Sequence, residues 1–116
     1  MMKLFLLKPD FTDPDRDREG TLYYCPHNAI VEGVLKYYPQ LEKEIEIIYI
    51  DFKRPRPLVI AEIGEENQSC PVLVANKNEA EDKTGYFSAY GDKLFINDEN
   101  LILKYFAEKF RIGIAH

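Results

Sequence analysis

Cysteine is scarce in this chain: Cys25 and Cys70 are the only two among 116 residues. Two thiols make no disulfide framework, and a domain of this length builds its core without one. Positive charge is in deficit as well. Fifteen Lys and Arg stand against twenty Asp and Glu, a net charge of −5, so the basic stripe that a nucleic acid or an anionic membrane requires is missing. No apolar run approaches the roughly 20 residues that span a bilayer. The Leu4-Phe5-Leu6-Leu7 run between Lys3 and Lys8 is too short for a signal-peptide core of about 7–15 residues. A cytoplasmic location is expected, and there a cysteine is read for reactivity. The sequence also has no phosphate-binding glycine loop, nucleophilic serine arrangement, helical carboxylate pair, repeat or linker.

What is present reads as one α/β domain over residues 1–116, with 46% hydrophobic and 13% aromatic residues. Lys3 to Lys8 is expected to be a strand buried on both faces. Asp10 to Tyr24 is acidic and broken by Pro14 and Gly20, a long surface loop. Its Asp13, Asp15 and Asp17 have the spacing of a calcium loop, but Arg18 and Tyr24 occupy the positions that would need Gly and Glu. From Pro26 a helical pattern runs to Tyr38-Pro39, with Ala29, Ile30, Gly33, Val34 and Tyr37 on one stripe and Glu32-Lys36 as an i,i+4 pair. Ile45 to Phe52 is a strand by its β-branched and aromatic content. Lys53-Arg54-Pro55-Arg56 reads as a solvated basic loop or a small anion site.

Leu58 to Ile63 fits a short helix stopped at Gly64, and Cys70 to Ala75 a strand entered through Pro71. Asn76 to Thr84 reads as a flexible charged stretch. Gly91-Asp92 is a turn before a fourth strand, Lys93 to Ile96. Asp98 caps a closing helix with Leu101, Ile102, Tyr105, Phe106 and Phe110 on its buried stripe. The order is β-α-β-α-β-β-α, a central four-stranded mixed sheet flanked by helices. Two βα units are expected to build its parallel part. Eight tyrosines and seven phenylalanines leave room for an aromatic homodimer surface or for a well-filled core.

That order, with Cys25-Pro26 at a helix start and Pro71 opening a strand, resembles the thioredoxin-like superfamily, of the glutaredoxin and glutathione-transferase N-terminal-domain type. Ser69-Cys70-Pro71-Val72-Leu73-Val74 resembles the segment that holds the cis-proline of those proteins. Leu94 to Ile102 resembles their last strand and the start of the closing helix. Tyr24-Cys25-Pro26-His27 and Gly64 to Ser69 resemble a family of small single-domain thioredoxin-like proteins with no assigned function. Asn28 departs from the dithiol pattern, since it stands where a resolving cysteine would be. No all-helical second domain follows in the 116 residues, which disfavours a complete transferase reaction.

Cys25, just ahead of a helix, meets orphan N–H groups and the positive end of the macrodipole, which favour thiolate over thiol. His27, if protonated, adds to this. The resemblance implies that Cys70 faces Cys25, and three readings stay open. The pair form a disulfide on oxidation with Cys70 resolving, or share a metal with His27, or Cys70 is a small buried hydrophobe. The resemblance also implies a cis bond at Pro71 that presents an edge to a peptide or to glutathione. It places Asp98 where a γ-glutamyl ammonium would be met, though Asp98 is equally an N-cap, and it puts Arg54 and Arg56 near a ligand carboxylate. The expected site thus comprises Cys25 and Cys70 as the thiols, with Pro26, His27, Asn28, Ser69, Pro71 and Asp98 around them. No resident metal or cofactor is expected beyond glutathione. The two functions carried forward are thiol-disulfide exchange or glutathione binding, and a non-catalytic binding or assembly module.

Overall fold

The N-terminal apolar run forms strand β1 (Met2–Leu7) in the computed structural model, which describes residues 1–80 and 85–116. Helix α1 (Pro26–Tyr37) and a 3-10 turn (Pro39–Lys43) lead to β2 (Ile45–Ile50), and α2 (Pro57–Ile63) leads to β3 (Val72–Asn76). Strands β4 (Ser88–Tyr90) and β5 (Lys93–Ile96) precede the closing helix α3 (Glu99–Phe110). The sheet is five-stranded, in the order β2-β1-β3-β5-β4. Only β1 and β2 are parallel; β1–β3, β3–β5 and β4–β5 are antiparallel.

Alternation along the strands divides the core. Leu4, Leu6, Leu73 and Ile96 join the α1 and α3 side chains Val31, Leu35, Ile102 and Phe106 in one cluster. Phe5, Leu7, Val72, Val74 and Phe95 join Val59 and Ile63 of α2 in the other. A central strand such as β1 therefore needs apolar residues at successive positions, which is why its sequence runs unbroken. Each fully buried Leu or Phe in these layers contributes about 1.5–3 kcal/mol.

Several expectations are corrected. The second βα unit does not yield a parallel strand. After α2 the chain doubles back to the end of the sheet where β2 finishes, tied there by Arg56 Nη1 donating to the Gln68 carbonyl at 2.7 Å, so β3 runs the other way. The fourth expected strand is β5, and the additional strand β4 pairs with its outer edge across a turn at Gly91, φ 57°. Ser88-Ala89-Tyr90 is three exposed residues, too short to show a period. The buried stripe of α1 is Asn28, Val31 and Leu35, while Ala29, Ile30, Gly33 and Tyr37 face outward. Glu32 accepts from the Tyr49 hydroxyl at 2.7 Å in place of pairing with Lys36.

Other features follow the chemistry of their residues. Gly64 ends α2 at φ 86°, and a Cβ there would meet the Tyr90 ring at 2.8 Å. Of the stretch 76–84, Asn76 to Glu79 forms a turn, with Glu79 N–H donating to the Asn76 carbonyl at 2.9 Å; residues 81–84 lie outside the described residues. In α3, Ile102, Tyr105, Phe106 and Ala107 are buried, with Leu101 and Phe110 half-buried. Among the described residues no helix is long and apolar enough to cross a membrane.

Candidate functional site: the Cys25 and Cys70 region

Cys25 is the N-cap residue of α1, in extended conformation at φ −85° and ψ 118°, and no side chain caps this helix end. Pro26 takes the first helical position, where its missing N–H removes nothing the helix needs. The first-turn N–H groups of α1 are thus left without a side-chain cap. Cys25 is half-buried and free, as is Cys70. Both border the cluster formed by Phe5, Val59, Ile63 and Val72.

Asn28, in the same first turn, brings the second segment in. Its side chain is buried, 5% exposed. The Asn28 Oδ1 accepts from Leu7 N–H at 2.9 Å and Nδ2 donates to the Cys70 carbonyl at 3.2 Å. A buried amide with both ends satisfied is held by the scaffold rather than offered to solvent. The peptide bond that follows, Cys70–Pro71, is cis, and so is Arg54–Pro55. Pro71 is buried and Ser69 is exposed on the approach to Cys70.

Arg56, whose segment reads in the sequence as a solvated basic loop or a small anion site, is buried. It is 6% exposed. Nε and Nη2 donate to the Phe52 carbonyl at 3.1 and 2.6 Å, Nη1 donates to the Gln68 carbonyl, and the backbone N–H donates to Gln68 Oε1 at 2.9 Å. The guanidinium also lies over the Phe52 ring, 5.6 Å from its centroid, and Phe52 stacks on Phe11 at 4.1 Å. The basic cluster with its two prolines was the available signal. Nothing in the sequence pointed to Gln68 or Phe52 as its partners.

Burial pushes the Cys70 thiol up to about 11, against the opposing pull of the Arg56 and Arg54 charges. Burial thus favours the neutral S–H form of Cys70 near pH 7. Its Sγ lies 4.0 Å from the Gln68 carbonyl, a weak donor contact. Burial lowers Arg56 in turn, and the Cys70 and Cys25 sulfurs act in the opposite direction.

The other side of the site is framed by the start of α3. His27 Nδ1 lies 2.6 Å from Glu99 Oε1, joining the first turns of α1 and α3. Glu99 was not among the expected residues. Asp98 caps α3, with Oδ1 accepting from Leu101 N–H at 3.0 Å. Among the described residues no group of three His, Cys, Asp or Glu side chains is placed to hold a metal ion, Cys25, His27 and Cys70 included. Beyond Arg56 opens a cleft of about 1050 Å³ between Lys8–Asp15 and Asp51–Arg56. Phe11 and Phe52 line it, with Asp10, Asp13 and Asp15 on one wall and Lys53 and Arg54 on the other. Chemically, the region has one half-buried sulfur at a helix start, a second half-buried thiol held toward its neutral form and one fixed cation.

The chain belongs to the family described as protein of unknown function (DUF3088), whose model matches residues 2–114. No curated protein and no solved structure matches it.

Proposed function

We propose that this member of a family of unknown function is a thioredoxin-like monothiol protein, with Cys25 as the nucleophile toward disulfides. The uncapped start of α1 at Cys25 carries the reading. An anionic sulfur there accepts the first-turn N–H groups that no side chain occupies, and it meets the positive end of the helix dipole. The order of elements and the placement of the cis Cys70–Pro71 bond, one Asn28 side chain away from that turn, support the thioredoxin-like assignment.

In the proposed step the Cys25 thiolate attacks one sulfur of a disulfide. That S–S bond breaks, a Cys25 mixed disulfide forms, and the departing sulfur leaves as a thiolate that takes a proton from solvent. A second external thiol then reduces the mixed disulfide. Asn28 provides no sulfur, and Cys70 is held as a neutral thiol, so the exchange runs through one protein cysteine. Glutathione or a protein thiol is the partner class, in a cytoplasmic setting where such thiols are abundant. Pro26, Ser69 and Pro71 shape the approach to the sulfur, and His27 modulates its charge.

The test is incubation of the whole protein with oxidised glutathione at pH 7, followed by intact-mass and peptide analysis. One glutathione on Cys25, with Cys70 free and release by added thiol, is the expected result. Absence of an adduct, together with a Cys25 alkylation rate no greater than that of an unstructured peptide thiol, overturns it. That result would favour the second reading, a binding or assembly module. The observation on its side is Asn28, which has replaced a sulfur with a strut between β1 and Cys70.

A further inference from the structure

The acidic loop after β1 is built as a wall. Phe11 N–H donates to the Tyr23 carbonyl at 3.1 Å and Tyr23 N–H to the Phe11 carbonyl at 2.8 Å, which joins the two ends of the loop. Inside it the Asp13 carbonyl accepts from the Arg16 and Asp17 N–H groups, both at 3.0 Å, and Asp13 Oδ1 accepts from Asp15 N–H at 3.2 Å. Ring contacts fasten this wall to the β2–α2 loop. Arg16 lies 5.3 Å over Tyr23, and the Tyr23 and Phe11 rings are 6.3 Å apart. Phe11 stacks on Phe52 at 4.1 Å, and the Arg56 guanidinium lies 5.6 Å from the Phe52 centroid. The cleft of about 1050 Å³ between the two loops is therefore preformed, and it matches the largest small-molecule pockets, which reach about 1,000 Å³.

Its charges are divided by sign. Lys53, Arg54 and Arg56 come from one loop and Asp10, Asp13 and Asp15 from the other. Among the described residues none of these side chains forms an ion pair, while Lys8 and Asp51, also in the lining, pair with each other at 3.1 Å. Arg56 cannot leave its charge to water, being 6% exposed. Its oxygen partners, the Phe52 and Gln68 carbonyls, carry no full negative charge. The Lys and Arg side chains of the lining equal its Asp side chains in number. A lone anion drawn to one wall is thus opposed by the other, and so is a lone cation. A molecule carrying both charges satisfies both walls.

We propose that the cleft binds a short apolar peptide with free ends, its carboxylate against Arg54 and Arg56 and its ammonium against Asp13 and Asp15. Its side chains pack on Phe11 and Phe52. In a single α-amino acid the two charges share one carbon. In a dipeptide or tripeptide they stand up to about 7–11 Å apart, which suits opposite walls of a space this size. Exposed ion pairs contribute little affinity, so the charges select and orient the ligand while the aromatic contact holds it. Neither Cys25 nor Cys70 lines the cleft, so the inference stands apart from the thiol reading.

The experiment follows the backbone amide resonances of the whole protein during titration with leucyl-phenylalanine. Saturable shifts are expected over residues 10–15 and 52–56, with the Cys25 and Cys70 amides unmoved. N-acetyl-leucyl-phenylalanine lacks the ammonium and leucyl-phenylalanine amide lacks the carboxylate; each is expected to bind about two- to fivefold more weakly. Arg54 and Asp15 are exposed, so their substitution spares the core. Asp15→Asn is expected to weaken the free dipeptide by a similar factor and to leave the N-acetyl form unchanged. Arg54→Gln is expected to do the same, leaving the amide form unchanged. Absence of a saturable shift overturns the proposal, and so do shifts centred on the two cysteines. A capped form that binds as tightly as the free dipeptide overturns it too, as does a substitution that weakens free and capped forms equally.

Discussion

Asn28 donates through Nδ2 to the carbonyl of Cys70 at 3.2 Å while its Oδ1 receives the N–H of Leu7. One side chain thereby joins the start of α1, the end of β1 and the residue before the cis Pro71. Asn28 is a strut of the fold.

Replacing Asn28 by Ala strands the buried Leu7 N–H and the half-buried Cys70 carbonyl, and an unpaired buried group costs about 1–3 kcal/mol. Asn28→Ala is expected to lose roughly 2–4 kcal/mol in equilibrium urea unfolding. Asn28→Asp keeps an acceptor for Leu7 but offers no donor to Cys70 and buries a charge, so at neutral pH it should be at least as unstable.

Cys70 makes stability depend on alkaline pH. Its folded-state value, about 11, lies above the ordinary 9.0, so the native protein holds a proton that the unfolded chain releases. The contribution is complete below about pH 9 and is lost as pH rises toward 11, on the order of 2 kcal/mol. Unfolding free energies of the native protein and Cys70→Ala, compared across that range, should converge toward high pH by about this amount. Parallel curves would show that the thiol is not shielded.

Glu62 on α2 clamps two strands, accepting from Lys3 of β1 at 2.6 Å and lying 3.1 Å from Lys93 of β5. Burial pushes its carboxyl up, but the Lys3 and Lys93 hydrogen bonds and charges outweigh this and hold it below the ordinary 4.5. Its contribution is therefore present above that pH and disappears as pH falls through the lowered folded-state value. Glu62→Gln is expected to cost about 1–2 kcal/mol at pH 7, discounted for the partial exposure of Lys3. The gap to the native protein should close in acid; thermal melts at pH 7 and pH 3 check both statements.

Asp98 is tested as a cap by two substitutions. Asp98→Ala should lower stability by about 1 kcal/mol, whereas Asp98→Asn, still able to accept from Leu101, should lose little. Equal losses in the two variants would mean that the charge, facing the first turn of α3, matters more than the hydrogen bond.

Much of the architecture was legible because strand and helix periods are local. The unbroken Leu4 to Leu7 run, the β-branched Ile45 to Ile50, Gly64 and the Asp98 cap each announce their element through side-chain chemistry within a few residues. The α1 face was misjudged for a related reason. Its apolar residues fit two helical phases, and the one adopted buries Asn28, a polar residue outside the expected apolar stripe. That phase is stable only because Leu7 N–H and the Cys70 carbonyl lie waiting for the amide.

The two cysteines, the helix start at Pro26 and the proline after Cys70 are fixed by the order of residues alone, since a helix start and a proline act on their immediate neighbours. Whether Arg56 lies in solvent or beneath the site is a different kind of fact. It depends on Phe52 and Gln68 presenting carbonyls from two separate loops, and the direction of β3 depends on the chain returning to that same end of the sheet. Such outcomes belong to the packed molecule, because a buried polar group is admitted only where distant segments converge to satisfy it.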